Sequence, residues 1–134
     1  MRKRVVFSGA VFGEEKWEAY RDAEVFVLPS QNENFGNTAM EAAAIGTPVV
    51  LTENCGVAPL LAGMAGIVVT HETEAVARAV EQVLSDSKLR EQLSEGGKKA
   101  AGKMGWDEPV SAMEKLYAAL AGPYAAGGES TVLP

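Results

Sequence analysis

Two carboxylates, Glu33 and Glu41, stand eight positions apart in the stretch ENFGNTAMEAAAIGTPVV and are well suited to bind a polar ligand. An ionised carboxylate offers only acceptor oxygens, and its two oxygens suit the neighbouring hydroxyls of a vicinal diol. The segment between them is uncharged and contains Gly36, where the backbone can approach a ligand closely. Two glutamates at this spacing also arise by chance, and a loop glutamate is usually solvated, so that alternative stays open here.

The elements around these carboxylates predict a site at the end of a strand. A predicted strand over 24–28 leads into a loop, and a predicted helix over 37–45 follows it. Ligands of open α/β sheets lie beyond the carboxyl ends of the strands. The first amides of the helix, near Gly36, Asn37 and Thr38, predict an anion site. Eight helical positions would span ~12 Å, the scale of a diphosphate between two hydroxyl-bearing groups.

Short apolar runs alternate with helical segments along the whole chain. None of the runs alternates cleanly between apolar and polar residues, which is typical of parallel strands buried on both faces. The pattern predicts an α/β domain with a Rossmann-like, mainly parallel sheet and flanking helices. Strands are predicted over 4–8, 24–28, 48–51 and 66–70, and helices over 14–23, 37–45, 73–85, 86–104 and from 107 onward. Gly96 and Gly97 are expected to weaken the fourth helix.

Composition narrows the classes of partner. The chain has 134 residues, enough for one domain, and a formal net charge of −6, so we expect no broad nucleic-acid or anionic-membrane surface. Cys55 is the single cysteine, so no intrachain disulfide can form, which suits the cytoplasm. The apolar run after the basic residues 2–4 is too short for a signal peptide or a membrane span.

The stretch VFVLPSQNENFGNTAMEAAAIGTPVVLTENCG closely resembles the donor-binding half of glycosyltransferase family 4, the retaining glycosyltransferases of GT-B fold. The family pattern has a hydrophobic strand and Pro-Ser, then two glutamates separated by seven residues, then Gly-x-Pro-Val-Val. This chain carries Pro29-Ser30, Glu33, Glu41-Ala42 and, over 46–50, Gly-Thr-Pro-Val-Val. The resemblance covers about residues 4–120.

The resemblance implies a role for each site residue. Glu33 would contact the donor sugar near the reacting carbon and is the candidate catalytic residue, while Glu41 would bind the ribose hydroxyls of a nucleotide-diphospho-sugar. The implied donor-binding positions are Phe35, Gly36, Asn37, Thr38, Glu41, Asn54 and Gly56. The family needs no metal or other cofactor in this site, and retention is usually attributed to front-face attack without a protein nucleophile.

The chain also departs from the family pattern. The Arg and Lys that clamp the diphosphate would lie upstream of residue 1, the acceptor domain is absent, and Pro59 stands where the family has a Glu. We therefore expect a truncated donor-binding domain over 1–121 with a flexible tail over 122–134. Its parent would transfer a hexosyl group. The alternative is a non-catalytic module that binds nucleotide-sugars weakly or serves as an assembly unit.

The truncation also predicts an exposed sheet edge. In the doubly wound order 3-2-1-4-5-6 this chain would hold the counterparts of strands three to six. The strand over 25–28 would then lose a neighbour and present an apolar edge, a template for pairing. We expect a homodimer through this edge, with the alternative that the first predicted strand, around Val5-Val6-Phe7, closes it within one molecule.

Overall fold

The computed structural model describes residues 5–121 and shows three strands and six helices among them. The elements are α1 (Gly13–Asp22), β1 (Phe26–Leu28), α2 (Asn37–Ile45), β2 (Val49–Thr52), α3 (Ala58–Leu61), β3 (Gly66–Val69), α4 (Thr73–Ser85), α5 (Ser87–Gly102) and α6 (Asp107–Ala121). The tail predicted over 122–134 lies outside the described residues. Residues 5–103 form one compact unit, and 104–121, with α6, belong to a second.

The three strands form one parallel sheet in the order β1-β2-β3. Leu28 aligns with Leu51, and Leu51 aligns with Val68, so the three carboxyl ends lie at the same edge of the sheet. The prediction of an α/β fold with a parallel sheet is confirmed. The predicted edge position of the strand near 25–28 is confirmed as well, because β1 has β2 as its only neighbour within residues 5–121.

The sheet is buried on both faces. Val49 and Leu51 of β2 pack into one apolar cluster with α2 and α3, while Val50 packs into the other with α4 and α5. Side chains alternate between the two faces of a strand, so consecutive apolar residues serve both clusters. All three of these residues are fully buried. The continuous apolar run in the sequence therefore reflects two covered faces.

Helix α2 has the predicted ends because glycines define both of them. Gly36 precedes it with φ 99°, and Gly46 follows it with φ 100°, and both values lie in the left-handed region that favours glycine. Its Ala42 and Ala43 are fully buried against the sheet. The single turn α3 was not predicted, because four residues are too few to show a helical period.

Helix α5 continues through its two central glycines, so the weakening expected there does not interrupt the helix. A side chain at Gly97 would collide with the carbonyl oxygen of Ala43 in α2, and one at Gly96 would collide with the carbonyl of Met64. The glycines let α5 approach α2 and the loop before β3 closely. Asp86 begins the helix by accepting a hydrogen bond from the amide of Leu89 at 3.0 Å.

The strand predicted over 4–8 is not formed in the described residues. Residues 5–12 have no regular secondary structure, and Val6 and Phe7 are 88% and 94% exposed. A strand needs a neighbour for its backbone hydrogen bonds, and none lies beside this segment within 5–121. Local propensity for strand was present, but the pairing partner was missing.

Candidate functional site

The predicted site lies at the carboxyl edge of the sheet, where β1 and β2 both end. The chain leaves β1 after Leu28 and β2 after Thr52, so the loops 29–36 and 53–57 emerge side by side. The hydroxyl of Thr52, which is fully buried, donates to the carbonyl of Ser30 and ties the two strand ends together. Every site residue expected from the sequence belongs to one of these two loops or to α2, the helix that follows the loop 29–36.

The two loops are joined by backbone hydrogen bonds in the manner of paired strands. The amide of Glu33 donates to the carbonyl of Asn54 at 3.1 Å, and the amide of Gly56 donates to the carbonyl of Glu33 at 3.0 Å. The amide of Val57 donates to the carbonyl of Phe35 at 2.7 Å. A side chain at Gly56 would collide with the carbonyl oxygen of Asn34, so this close pairing requires glycine. The structure thus brings Asn54 and Gly56 next to Glu33, as the site prediction requires.

Glu33 turns its carboxylate back onto its own loop. Its Oε1 accepts a hydrogen bond from the amide of Phe35 at 3.2 Å, and the residue is half-buried. This bond offsets part of the negative charge beside the expected phosphate position. In the described residues the carboxylate is therefore held by its own loop, and its predicted contact with a donor sugar stays a prediction.

The first turn of α2 presents open amide groups. The helix-type hydrogen bonds here begin with the amides of Ala39 and Met40, which both donate to the carbonyl of Gly36, at 3.0 and 3.2 Å. The amides of Asn37 and Thr38 precede them and, by helix geometry, have no carbonyl one turn earlier to bind. Both residues are exposed. This end of α2 can accept an anion, which its dipole also favours.

Glu41 lies one helical turn beyond those amides, ~6 Å along the axis from Asn37. Its Oε1 accepts from Lys16 Nζ at 2.9 Å, and its Oε2 accepts from the hydroxyl of Tyr20 at 3.2 Å. Its side chain and that of Lys16 are each 30% exposed. Both oxygens of the carboxylate expected to bind ribose therefore already have a donor from α1.

Tyr20 is held firmly in this position. Its carbonyl accepts a hydrogen bond from Thr47 Oγ1 at 2.6 Å, and its ring packs edge-on against Trp17 and Phe26, with ring centroids 6.0 and 5.3 Å apart. Burial, followed by the hydrogen bond to Glu41 and its charge, raises the pKa of the Tyr20 phenol above the ordinary 10.0. The phenol therefore remains a donor to Glu41 at neutral pH.

Lys16 is the site residue that sequence reasoning missed. Its ammonium contacts Glu41 and also lies 4.3 Å from the ring centroid of Trp17, so one cation joins a carboxylate and an aromatic face. The available signal was its place one turn before Tyr20, which puts both on one face of α1. Nothing in the sequence alone indicated that this face would meet α2 at Glu41.

Residues 5–121 contain neither a cluster of metal-ligand side chains nor a helix that could span a membrane. No three side chains from His, Cys, Asp and Glu lie close enough there to hold a metal ion. None of the helices in that part of the chain is long and apolar enough to cross a bilayer. Cys55 is buried beside Thr52, with its Sγ 3.6 Å from Thr52 Oγ1.

Comparison with known proteins points to one family. A family model described as "Glycosyl transferases group 1" matches residues 1–100. A D-inositol 3-phosphate glycosyltransferase of Xylanimonas cellulosilytica is 37% identical over 120 residues, which are 88% of this chain and 29% of that protein. An uncharacterized glycosyltransferase of Methanocaldococcus jannaschii is 36% identical over 120 residues, which are 87% of this chain and 31% of that protein.

The fold comparison agrees with the sequence comparison. The structure of sucrose-phosphate synthase from Thermosynechococcus elongatus matches with a TM-score of 0.77 and 30% sequence identity. The match covers 93% of this chain and 31% of the synthase. The chain thus spans a little under a third of the length of each of these relatives.

Proposed function

Because the chain belongs to the group 1 glycosyltransferases, we propose that it is the part of a retaining hexosyltransferase that binds the nucleotide-diphospho-sugar donor. The observation that carries this proposal is the placement of open amides at Asn37 and Thr38 one turn before the carboxylate of Glu41. A phosphate needs donors and a ribose diol needs paired acceptors, and α2 offers both along one face.

In this proposal the distal phosphate and the sugar lie at the amides from Phe35 to Thr38, and Glu33 faces the sugar near the reacting carbon. The amide of Phe35 would then have to exchange its hydrogen bond to Oε1 of Glu33 for one to the ligand. The amides would stabilise the charge that develops on the departing diphosphate, which is a large part of the catalytic effect in such reactions. The leaving phosphate would accept the proton of the attacking hydroxyl on the same face of the sugar, so no protein nucleophile is required. Asn54 and Gly56, on the loop that pairs with that of Glu33, would also line the donor site.

The alternative is a module that binds nucleotide-sugars without catalysing transfer, or that serves in assembly. One observation favours it: Lys16 and Tyr20 already occupy both oxygens of Glu41. A diol would have to use the remaining lone pairs or displace Lys16. That requirement weakens binding without preventing it, since each carboxylate oxygen can accept more than one hydrogen bond.

Calorimetric titration of the chain with a panel of nucleotide-diphospho-sugars tests the proposal. We expect saturable heat with at least one donor, weaker heat with the matching nucleoside monophosphate, and weak heat with inorganic pyrophosphate. Equal affinity for pyrophosphate and for every donor would leave only an anion site. No heat with any donor would contradict the proposal.

Two further features are proposed with it. A cytoplasmic location suits a chain whose single cysteine is buried and unpaired, and cell fractionation would test it. A homodimer is proposed because the edge of β1 has no strand beside it within residues 5–121.

A further inference from the structure

The carboxylate of Glu41 is held by two donors from α1 and keeps room for two more. Lys16 Nζ lies 2.9 Å from its Oε1, and the hydroxyl of Tyr20 donates to its Oε2 at 3.2 Å. Each oxygen of a carboxylate has two lone pairs, so one acceptor position remains on each oxygen. The side chain is 30% exposed, so a ligand can reach it. Glu41 therefore offers a fixed pair of acceptors, one on each oxygen.

The two donors are themselves restrained. Tyr20 is buried, its carbonyl accepts a hydrogen bond from Thr47 Oγ1 at 2.6 Å, and its ring packs edge-on against Trp17. The ammonium of Lys16 lies 4.3 Å from the ring centroid of Trp17 as well as beside Glu41, so two partners limit its movement. The last torsion of a glutamate side chain is soft when nothing holds the carboxylate. Here a rotation of the carboxylate of Glu41 would break both of its hydrogen bonds to α1.

A carboxylate held in this way suits two neighbouring hydroxyls better than one. Each hydroxyl of a ribose can donate to a different oxygen of Glu41, as the remaining acceptor positions require. A 2′-deoxyribose leaves one of those positions without its ligand partner, and the held carboxylate cannot turn to present both oxygens to the single hydroxyl. A site rejects an analogue strongly when the missing hydroxyl leaves a polar group of the site unpaired. A carboxylate that rotates freely would adapt and would discriminate less.

We propose that Lys16 and Tyr20 are positioning residues that make Glu41 selective for the neighbouring hydroxyls of a ribose over a deoxyribose. This inference rests on the proposed function, because it takes Glu41 as the contact of the nucleotide ribose. Neither donor touches the ligand in this arrangement, and both act through the orientation of the carboxylate. Their effect is therefore on the ratio of the affinities for ribonucleotides and deoxyribonucleotides.

Calorimetric titration with ADP, GDP, CDP and UDP, each beside its 2′-deoxy form, measures this ratio. The wild-type chain should bind at least one ribonucleoside diphosphate about tenfold more tightly than the deoxy form, the effect expected of one hydrogen bond to a charged group. In Lys16→Met and in Tyr20→Phe the ratio should fall to about threefold, the low end of the range for one hydrogen bond. Far-ultraviolet circular dichroism verifies that each variant keeps the fold.

Arg21→Met is the matched control for the loss of a positive charge. Arg21 belongs to the same helix, but its partner is Glu14 of that helix, at 3.7 Å, and both side chains are well exposed. The ratio in this variant should remain that of the wild type. In a Glu41→Ala background, Lys16→Met should leave the ratio unchanged, because Lys16 acts through Glu41. A further fall of the ratio in that background would contradict the proposal.

The direction of the change in Lys16→Met separates the proposal from other roles of the lysine. If Lys16 bound a phosphate directly, the variant would weaken both ligands alike, and the unchanged ratio would overturn the proposal. If Lys16 competed with the ribose, the ratio would rise, which would overturn it as well. Failure of every ribonucleoside diphosphate to bind would overturn this inference together with the proposed function. Binding with an unmoved ratio would contradict this inference alone.

Discussion

Lys16 Nζ lies 2.9 Å from Oε1 of Glu41 and so links α1 to the middle of α2. The hydroxyl of Tyr20, one turn later in α1, donates to the other oxygen of the same carboxylate. The proposed ribose contact therefore depends on two helices. A ligand that binds at Glu41 must share the carboxylate with α1, and this sharing is the feature that mutation can measure.

Glu41→Ala is expected to weaken nucleotide-sugars by ~1–3 kcal/mol, the range for losing hydrogen bonds to a charged group. Pyrophosphate should bind the variant as it binds wild type, because it has no hydroxyl for Glu41. Calorimetric titration measures both affinities. Glu81→Ala is the control, since Glu81 is an exposed helical glutamate on α4, away from the proposed site. Unchanged donor affinity in Glu41→Ala would remove Glu41 from the site.

Lys16→Met should separate the ion pair from ligand binding. Methionine keeps an apolar stem beside Trp17 but frees Oε1 of Glu41. If Lys16 competes with the ribose, the variant binds donors more tightly than wild type. If Lys16 instead holds Glu41 in its binding position, the variant binds them more weakly. Titration with a donor and with pyrophosphate distinguishes these two outcomes. If the variant and the wild type bind each ligand with the same affinity, the ion pair takes no part in binding.

The raised pKa of Tyr20 predicts a loss of stability at high pH. The folded state holds the phenol proton more tightly than the unfolded state. The stabilisation that the protonated phenol gives the fold is therefore complete below the ordinary pKa of 10.0 and declines as pH rises above it. Melting temperatures measured between about pH 8 and 11 should fall more steeply for wild type than for Tyr20→Phe. The gap between the two curves should narrow as pH rises. Parallel curves would show that Tyr20 does not titrate differently in the folded state.

The 134-residue chain alone is expected to transfer no sugar from a nucleotide donor to an acceptor. Expulsion of a diphosphate needs positive or hydrogen-bonding stabilisation, and loss of one such group typically lowers the rate ~100- to 1000-fold. Lys16, a basic side chain beside the proposed site, already pairs with the carboxylate of Glu41. Radiolabelled donors with a range of sugar and inositol acceptors provide the assay. Measurable transfer above the rate of a heat-denatured sample would contradict the expectation.

Gly97→Ala should destabilise the fold by ~1–3 kcal/mol, the range for overpacking a well-packed contact. The added methyl would meet the carbonyl of Ala43, which belongs to the rigid α2. Gly102→Ala in the same helix is the control, because nothing lies within 4 Å of its added methyl and alanine is the better helix former. Urea unfolding measures both. Equal stability of the two variants would contradict the close approach of α5 to α2.

The parts of the fold that follow from nearby residues could be predicted from the sequence. The bounds of α2 and α4 agree with the prediction because capping and helical period are local. The prediction of a strand near Val5–Phe7 was wrong, because strand formation also needs a neighbouring strand and the sequence pattern does not show one. The loops at Glu33 and Asn54 lie side by side because β1 and β2 are parallel and end at the same edge, and the donor-binding role of these residues stays a prediction. The ion pair of Lys16 with Glu41 was missed, because it depends on how α1 packs on α2.

The hydrogen bonds between the loop at Glu33 and the loop at Asn54 have a kinetic consequence. Two loops paired along their backbones cannot open toward a ligand without breaking those bonds, so the binding surface is preorganised. Little conformational entropy is then lost on binding. In stopped-flow fluorescence, association with a donor should follow a single exponential whose rate rises linearly with ligand concentration. A rate that reaches a plateau would instead reveal a slow rearrangement of these loops before or after the encounter.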